Sequence, residues 1–249
     1  MAGHSKWANI KHRKAASDAV KGKVFSKLAK EIMVAARLGG GDPAGNITLR
    51  SLIQKARGVN MPADNIDRAI KKGTGEIASD AMEEVVYEGF AVGGVSVIVS
   101  CLTDNRNRTA AEVRHVFSKN GGNLGTQGSV IRNYNRKGQI FVDAASIEED
   151  KLIEIALDAG AEDVQRSGDE FEVTTDPSEF HQVLEKLTGA GVKTGESEIT
   201  MIPTLEVEVT DKDQAAQLIK FVGTLEELDD VQNVYSNFDI DDALLESIS

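Results

Sequence analysis

Aromatic side chains supply only 5% of this 249-residue sequence, so any core must rest on Val, Ile, Leu and Ala. There is one cysteine, Cys101, which excludes an internal disulfide and a thiolate metal cage. Its place in an apolar run predicts a buried structural thiol in a reducing compartment. No stretch approaches the roughly 18 consecutive apolar residues of a membrane span. The first residues lack both the apolar segment of a secretory signal and the Arg/Ser-rich character of a transit peptide. A cytoplasmic protein is expected. Heptad arrays, low-complexity tracts and short repeats are also missing.

Several chemistries lack their residues. Of the four histidines, His4, His12, His115 and His181, none pairs with Cys, His or Glu at a zinc-ligand spacing, so no metal site is expected. The glycine-rich run Gly39-Gly40-Gly41-Asp42-Pro43-Ala44-Gly45-Asn46 has no Lys-Ser/Thr after it and follows a helix. It reads as a helix–helix connector, not a phosphate loop. Carboxylates such as Glu83-Glu84, Glu226-Glu227 and Asp229-Asp230 come as neighbours, expected beside caps or on solvated faces. No isolated acid with an ionised partner stands out for acid/base work. The expectation is a non-enzymatic protein with no cofactor and no small-molecule substrate.

Charge is abundant and unevenly placed. Up to Gly75, fifteen Lys and Arg stand against five Asp and Glu, a net of about +10, which leaves about −22 for the rest of a chain whose total is −12. A polyanion is drawn to the first part and repelled by the second. Lys6, Lys11, His12, Arg13 and Lys14 form a basic arm. Trp7, the only Trp, lies within it and either stacks on a base or anchors the arm. Residues 15–38 read as one helix whose apolar face carries Val20, Val24, Leu28, Ile32 and Ala35. Lys23, Lys27, Lys30 and Arg37 lie opposite. The candidate nucleic-acid contacts are Lys6, Trp7, Lys11, His12, Arg13, Lys14, Lys23, Lys27, Lys30, Arg106 and Arg108. No helix-turn-helix or RNA-recognition signature is present, so backbone contact is favoured over base reading.

Two more helices follow, one capped by Asn46 and one beginning near Pro62 and closing on Lys71-Lys72, so residues 1–78 predict a basic three-helix bundle. From Glu83 the period turns strand-like. A strand pair over residues 83–102 precedes a helix opened by a Thr109/Glu112 capping box, and a further strand is expected near 129–134. Residues 136–203 read as β-α-β-β-α-β, the ferredoxin-like order, with helices opening at Ser146 and at Asp176-Pro177. A remaining β-α-β half after residue 204 completes the earlier strand–helix–strand. The predicted fold is α+β with three domains: the bundle at 1–78, a discontinuous α/β domain at 79–135 and 204–241, and a ferredoxin-like domain inserted at 136–203. In the turn 103–109, Arg106 and Arg108 precede a helix N-terminus, where the dipole disfavours cations. They either hold an anion such as phosphate or pair with the acidic body.

The segments Gly3-His4-Ser5-Lys6-Trp7, Ile10-Lys11-His12, Gly40-Gly41-Asp42-Pro43, Asn60-Met61-Pro62 and Thr103-Asp104-Asn105-Arg106-Asn107-Arg108-Thr109 occur in that order. On them the chain closely resembles the YebC family, from residue 1 to about 240; mitochondrial relatives are translational activators of a cytochrome oxidase subunit. The resemblance implies a three-domain arrangement and a cytoplasmic, non-enzymatic regulator of gene expression. The catalogued role is DNA-binding transcriptional control, with some members linked instead to translation. The partner is therefore expected to be nucleic acid, either DNA or, for a ribosome-associated translation factor, ribosomal RNA. The acidic domains are expected to hold protein partners, and no membrane association is expected.

Overall fold

The protein was analysed as a computed structural model that describes residues 18–248. It is a multi-domain α+β protein that divides into two compact units, Arg132–Leu205 and the remainder. Among the described residues, no helix is long and apolar enough to cross a membrane.

The remainder opens with three helices: α1 (Asp18–Gly39), α2 (Ile47–Gly58) and α3 (Ala63–Thr74). Leu28, Ile32, Ala35 and Ala36 recur at helical spacing on α1. They bury against Leu49, Ile53 and Ala56 of α2 and Ile66 and Ala69 of α3. Asn46 closes two helix ends at once. Its Oδ1 accepts from Leu49 N at 3.0 Å, capping α2, while its Nδ2 donates to Ala35 O and Gly40 O, both at 2.9 Å. The α1–α3 crossing depends on Gly73. A Cβ there would collide with the Met33 carbonyl oxygen and sit 2.8 Å from Ala36 Cβ.

The chain continues through β1 (Glu83–Phe90), β2 (Ser96–Thr103), α4 (Arg106–Lys119) and the short β3 (Asn123–Leu124). The strand expected near 129–134 is not formed. The Glu88 carboxylate is buried and accepts from the amides of Gly128, Val130 and Ile131 at 2.6, 2.7 and 2.8 Å. Those amides are spent on a side chain instead of a neighbouring strand, so pairing waits until Tyr134.

Arg132–Leu205 contains β4 (Tyr134–Asp143), α5 (Glu149–Ala159), β5 (Asp163–Ser167), β6 (Glu170–Thr175), α6 (Phe180–Gly189) and β7 (Thr194–Pro203). Its antiparallel sheet runs β5-β6-β4-β7, the ferredoxin-like order. Ile140, Val142, Phe171 and Val173 face Leu152, Ala156, Val183 and Leu187 of the helices in its core. Both helices begin later than the sequence cues suggest. Ser146 Oγ donates to Asp143 O at 2.7 Å, and the Asp176 carboxylate accepts from Ser178 N and Oγ at 2.9 and 2.6 Å. Each cue closes a turn ahead of its helix.

The chain then returns to the unit that holds α1–α4 as β8 (Val207–Val209), α7 (Lys212–Glu226), β9 (Val231–Ser236), β10 (Phe238–Ile240) and α8 (Asp242–Ile248). β9 completes an antiparallel sheet β3-β1-β2-β9, while β8 and β10 pair in parallel. This is the neighbour order of the ferredoxin-like sheet. Here β1, which precedes the β2-α4-β3 segment, fills the place that β6 takes in the other unit. Val97, Val99, Cys101, Val113, Phe117, Leu218, Phe221, Leu225 and Val234 form its core. Phe117 and Phe221 meet edge to face at 5.0 Å.

Replacing Gly73 by Ala is expected to destabilise the protein by about 1–3 kcal/mol, because a helix backbone must shift to admit the methyl group. Urea unfolding of the variant beside the wild type measures this, and an unchanged midpoint would show that the crossing is loose.

Candidate nucleic-acid interface

The basic arm, Lys6, Trp7, Lys11, His12, Arg13 and Lys14, lies outside the described residues. The other expected contacts are described, and the structure places them in unequal surroundings. Lys23, Lys27 and Lys30 stand on one face of α1 and all reach the C-terminal end of α7. Lys23 Nζ donates to Glu227 O at 3.1 Å and Lys27 Nζ to Glu226 O at 3.0 Å. Lys30 Nζ donates to Asp229 O at 2.8 Å, to Asp230 Oδ1 at 2.8 Å and to Leu102 O at 3.4 Å. An ammonium has three donors, so those of Lys30 are all engaged. The Glu226 and Glu227 carbonyls are ones that a helix end leaves unpaired, at the negative pole of its dipole, while Lys30 meets the turn beyond it and the end of β2.

Asp230 is the residue the sequence reading missed. Expected with Asp229 beside a cap or on a solvated face, it follows the end of α7 but is only 4% exposed. Its Oδ1 takes Lys30, and its Oδ2 accepts from Arg108 Nη2 at 2.6 Å, Thr109 Oγ1 at 2.8 Å and Thr103 Oγ1 at 3.1 Å. Burial pushes this carboxyl upward, but the hydrogen bonds from Arg108, Lys30 and Thr109 outweigh it and hold the group well below the usual Asp range. No local sequence signal marks Asp230, since its partners lie more than a hundred residues away.

The same carboxylate settles the 103–109 turn. Asn105, not Thr109, is the N-cap of α4, its Oδ1 accepting from Arg108 N at 3.1 Å. The capping box at Thr109 is not used, because that hydroxyl is committed to Asp230 and Asn105 O. Arg106 and Arg108 thus sit in the first turn of α4. Arg108 offsets the dipole through ion pairs to Asp230 and to Asp104, the latter at 2.8 Å. Arg106 is exposed, its guanidinium without an ion pair among the described residues, and its carbonyl accepts from the Tyr87 hydroxyl at 3.3 Å.

Cations remain on the rest of the bundle. Arg37, Arg57, Arg68 and Lys71 are exposed, Lys72 is half-buried, and none has an ion-pair partner among the described residues. Arg68, Lys72 and Lys30 border a cleft of about 330 Å³ between α1 and α3, floored by Phe25, Ala29, Met33 and Met61. Glu31 is the acid set among these cations; burial pushes its carboxyl up, against the pull of Lys55 and Lys27. Cys101 is buried, and burial together with the nearby Asp230 pushes its thiol up to about 12, so it stays protonated. Among the described residues, no group of three or more His, Cys, Asp or Glu is placed to hold a metal ion.

A family model described as the TACO1/YebC protein N-terminal domain matches residues 5–76, and one described as the TACO1/YebC second and third domain matches residues 82–238. The chain belongs to the TACO1/YebC family. Curated relatives in it include a protein of Magnetococcus marinus, 56% identical over the whole of both chains, and one of Desulfotalea psychrophila, 53% identical over the whole of both. A third, from Acinetobacter baumannii, is 53% identical over 98% of each chain. All three bear the name "probable transcriptional regulatory protein". The crystal structure of a conserved hypothetical protein from Aquifex aeolicus is 50% identical, covers 90% of this chain and 93% of its own, and superposes with a TM-score of 0.81.

Asp230→Ala is expected to lower stability at neutral pH by about 3 kcal/mol, the low end for breaking a buried pair because one partner, Arg108, is half exposed. A carboxyl whose folded pKa is depressed contributes above its unfolded value, near 4, and loses that contribution as pH falls toward the folded value. The gap between wild type and variant in urea unfolding should therefore be full at neutral pH and shrink progressively below about pH 4. A constant gap through that range would refute the ionised role of Asp230.

Proposed function

We propose that this TACO1/YebC-family protein is a non-enzymatic regulator of gene expression that binds the phosphate backbone of nucleic acid through its N-terminal bundle. The observation that carries the reading is the set of bundle cations with no ion-pair partner among the described residues, Arg37, Arg57, Arg68, Lys71 and Lys72, in a chain whose total charge is −12. Such a patch attracts a polyanion through counterion release, while the acidic remainder discourages indiscriminate adhesion. Lys6, Trp7, Lys11, His12, Arg13 and Lys14, which precede the described residues in sequence, are proposed as further contacts, and Arg106 adds an exposed cation at the start of α4. The relatives' name, "probable transcriptional regulatory protein", favours transcriptional control, and the target proposed with it is cytoplasmic duplex DNA. Phosphate contacts carry no base code, so ribosomal RNA is the competing target, and a translation factor would use the same cations.

The combined substitution Arg68→Glu, Lys71→Glu and Lys72→Glu is expected to weaken binding at least about tenfold. It should also lower the salt dependence of log K by about three, one unit per lost phosphate contact. Fluorescence anisotropy over a salt series, with a short DNA duplex and a short single-stranded RNA, reads both quantities. Unchanged affinity for both probes would remove the α3 cations from the interface. Sedimentation of the protein with ribosomal particles, lost on RNase treatment, would move the target from DNA to RNA.

A further inference from the structure

The lysines that the sequence singles out most strongly for phosphate are the ones the structure finds already occupied. Lys23, Lys27 and Lys30 are spaced four and three residues apart, so they form one row along α1. Each ammonium meets an oxygen of residues 226–230 at 2.8–3.1 Å. Residues 226–230, the last residue of α7 and the four-residue turn before β9, hold four carboxylates, Glu226, Glu227, Asp229 and Asp230, at the negative end of a helix. Three of these oxygens are main-chain carbonyls and one is the Asp230 carboxylate; closely spaced acceptors in a negative field are also what a nucleic-acid backbone offers. We propose that residues 226–230 are a built-in phosphate mimic: they occupy the lysine row and hold the bundle against the α/β part, so nucleic acid must displace them to gain these three contacts. This rests on the phosphate-binding reading above and concerns its regulation.

Two features suit the contact to opening. The first is that Asp230 keeps Arg108, Thr103 and Thr109 when Lys30 leaves, so the buried carboxylate is never stranded and the turn keeps its shape. The second is exposure. Lys23 lies on the surface and Lys27 is half-buried, so their bonds to Glu227 and Glu226 are open to competition by another anion and to screening by salt. In the closed state Lys30 has no donor free for a phosphate, so the full row binds only from the open state. The apparent Kd is then the intrinsic value divided by the open fraction.

The test compares wild type with Glu226→Gln/Glu227→Gln/Asp229→Asn, which removes the negative charge that holds the ammoniums at the turn and leaves the main-chain acceptors and Asp230 in place. A second triple variant, Glu148→Gln/Glu154→Gln/Asp158→Asn, makes the same change in net charge on α5 and its cap. Acylation with an amine-reactive ester, followed by mass spectrometry, reads the reactivity of Lys23, Lys27 and Lys30 against Lys71 as internal reference. Anisotropy with the DNA duplex and the single-stranded RNA reads affinity. The expected result is a lysine row protected in wild type and in the α5 variant but reactive in the turn variant, which binds at least about fivefold more tightly than the α5 variant. Wild-type lysines as reactive as Lys71 would overturn the proposal, as would equal affinity of the two variants. If no protein binds either probe at low salt, the phosphate-binding reading falls and this proposal with it. Binding that is equal in all three removes only the mimic.

Discussion

A carboxylate out of contact with water is tolerated only when its lone pairs are met, and the arrangement of the unit that holds α1–α4 follows from meeting those of Asp230. Its four donors come from three places in the chain: Lys30 on α1, Thr103 at the end of β2, and Arg108 and Thr109 in the first turn of α4. Asp230 itself immediately precedes the edge strand β9, and its carbonyl accepts from Leu102 N at 2.8 Å. One charge therefore fixes where the α7–β9 turn lies, where α4 starts and how α1 sits beside the sheet. The cationic first turn of α4, unfavourable against its own helix dipole, is stable because a buried anion stands before it.

The same group changes the meaning of the charge asymmetry. Read along the chain, a basic first part faces an acidic remainder, and both appear available to outside partners. In the fold, part of the positive charge is answered internally by main-chain carbonyls at the end of α7 and by Asp230, and the exposed cations left over lie on α3 and in the last turns of α1 and α2. Charge segregated in sequence need not be segregated in space. An acidic turn and a basic helix nearly two hundred residues apart become neighbours and screen each other.

The two sheets show how one neighbour order is reached by two chain paths. In Arg132–Leu205 the strands follow the ferredoxin-like β-α-β-β-α-β sequence, whereas in the other unit β1 comes first and β9 last, with a whole unit between. Glu88 performs for the 125–131 loop what Asp230 performs for the α7–β9 turn, a buried carboxylate gathering distant donors. In its case three backbone amides are fixed, and a strand that local pattern favoured is suppressed.

Periodicity alone located α1, α2 and α3, the β1–β2 pair and the β-α-β-β-α-β stretch. Each buries a stripe or face whose spacing is written locally, and Asn46 could be recognised as a cap for the same reason. The single Cys101 in its apolar run was legible as a buried thiol. Helix starts were less legible: Thr109, Ser146 and Asp176 each carry cap chemistry, and each spends it on something else nearby or far away. The candidate interface divides along the same line. That the first 75 residues carry a large excess of positive charge is a property of the sequence. Which of those charges remain open to a ligand was decided by tertiary structure, because an ammonium's availability depends on the oxygens that folding brings within hydrogen-bond reach of it, and for Lys23, Lys27 and Lys30 residues 226–230 supply them at 2.8–3.1 Å.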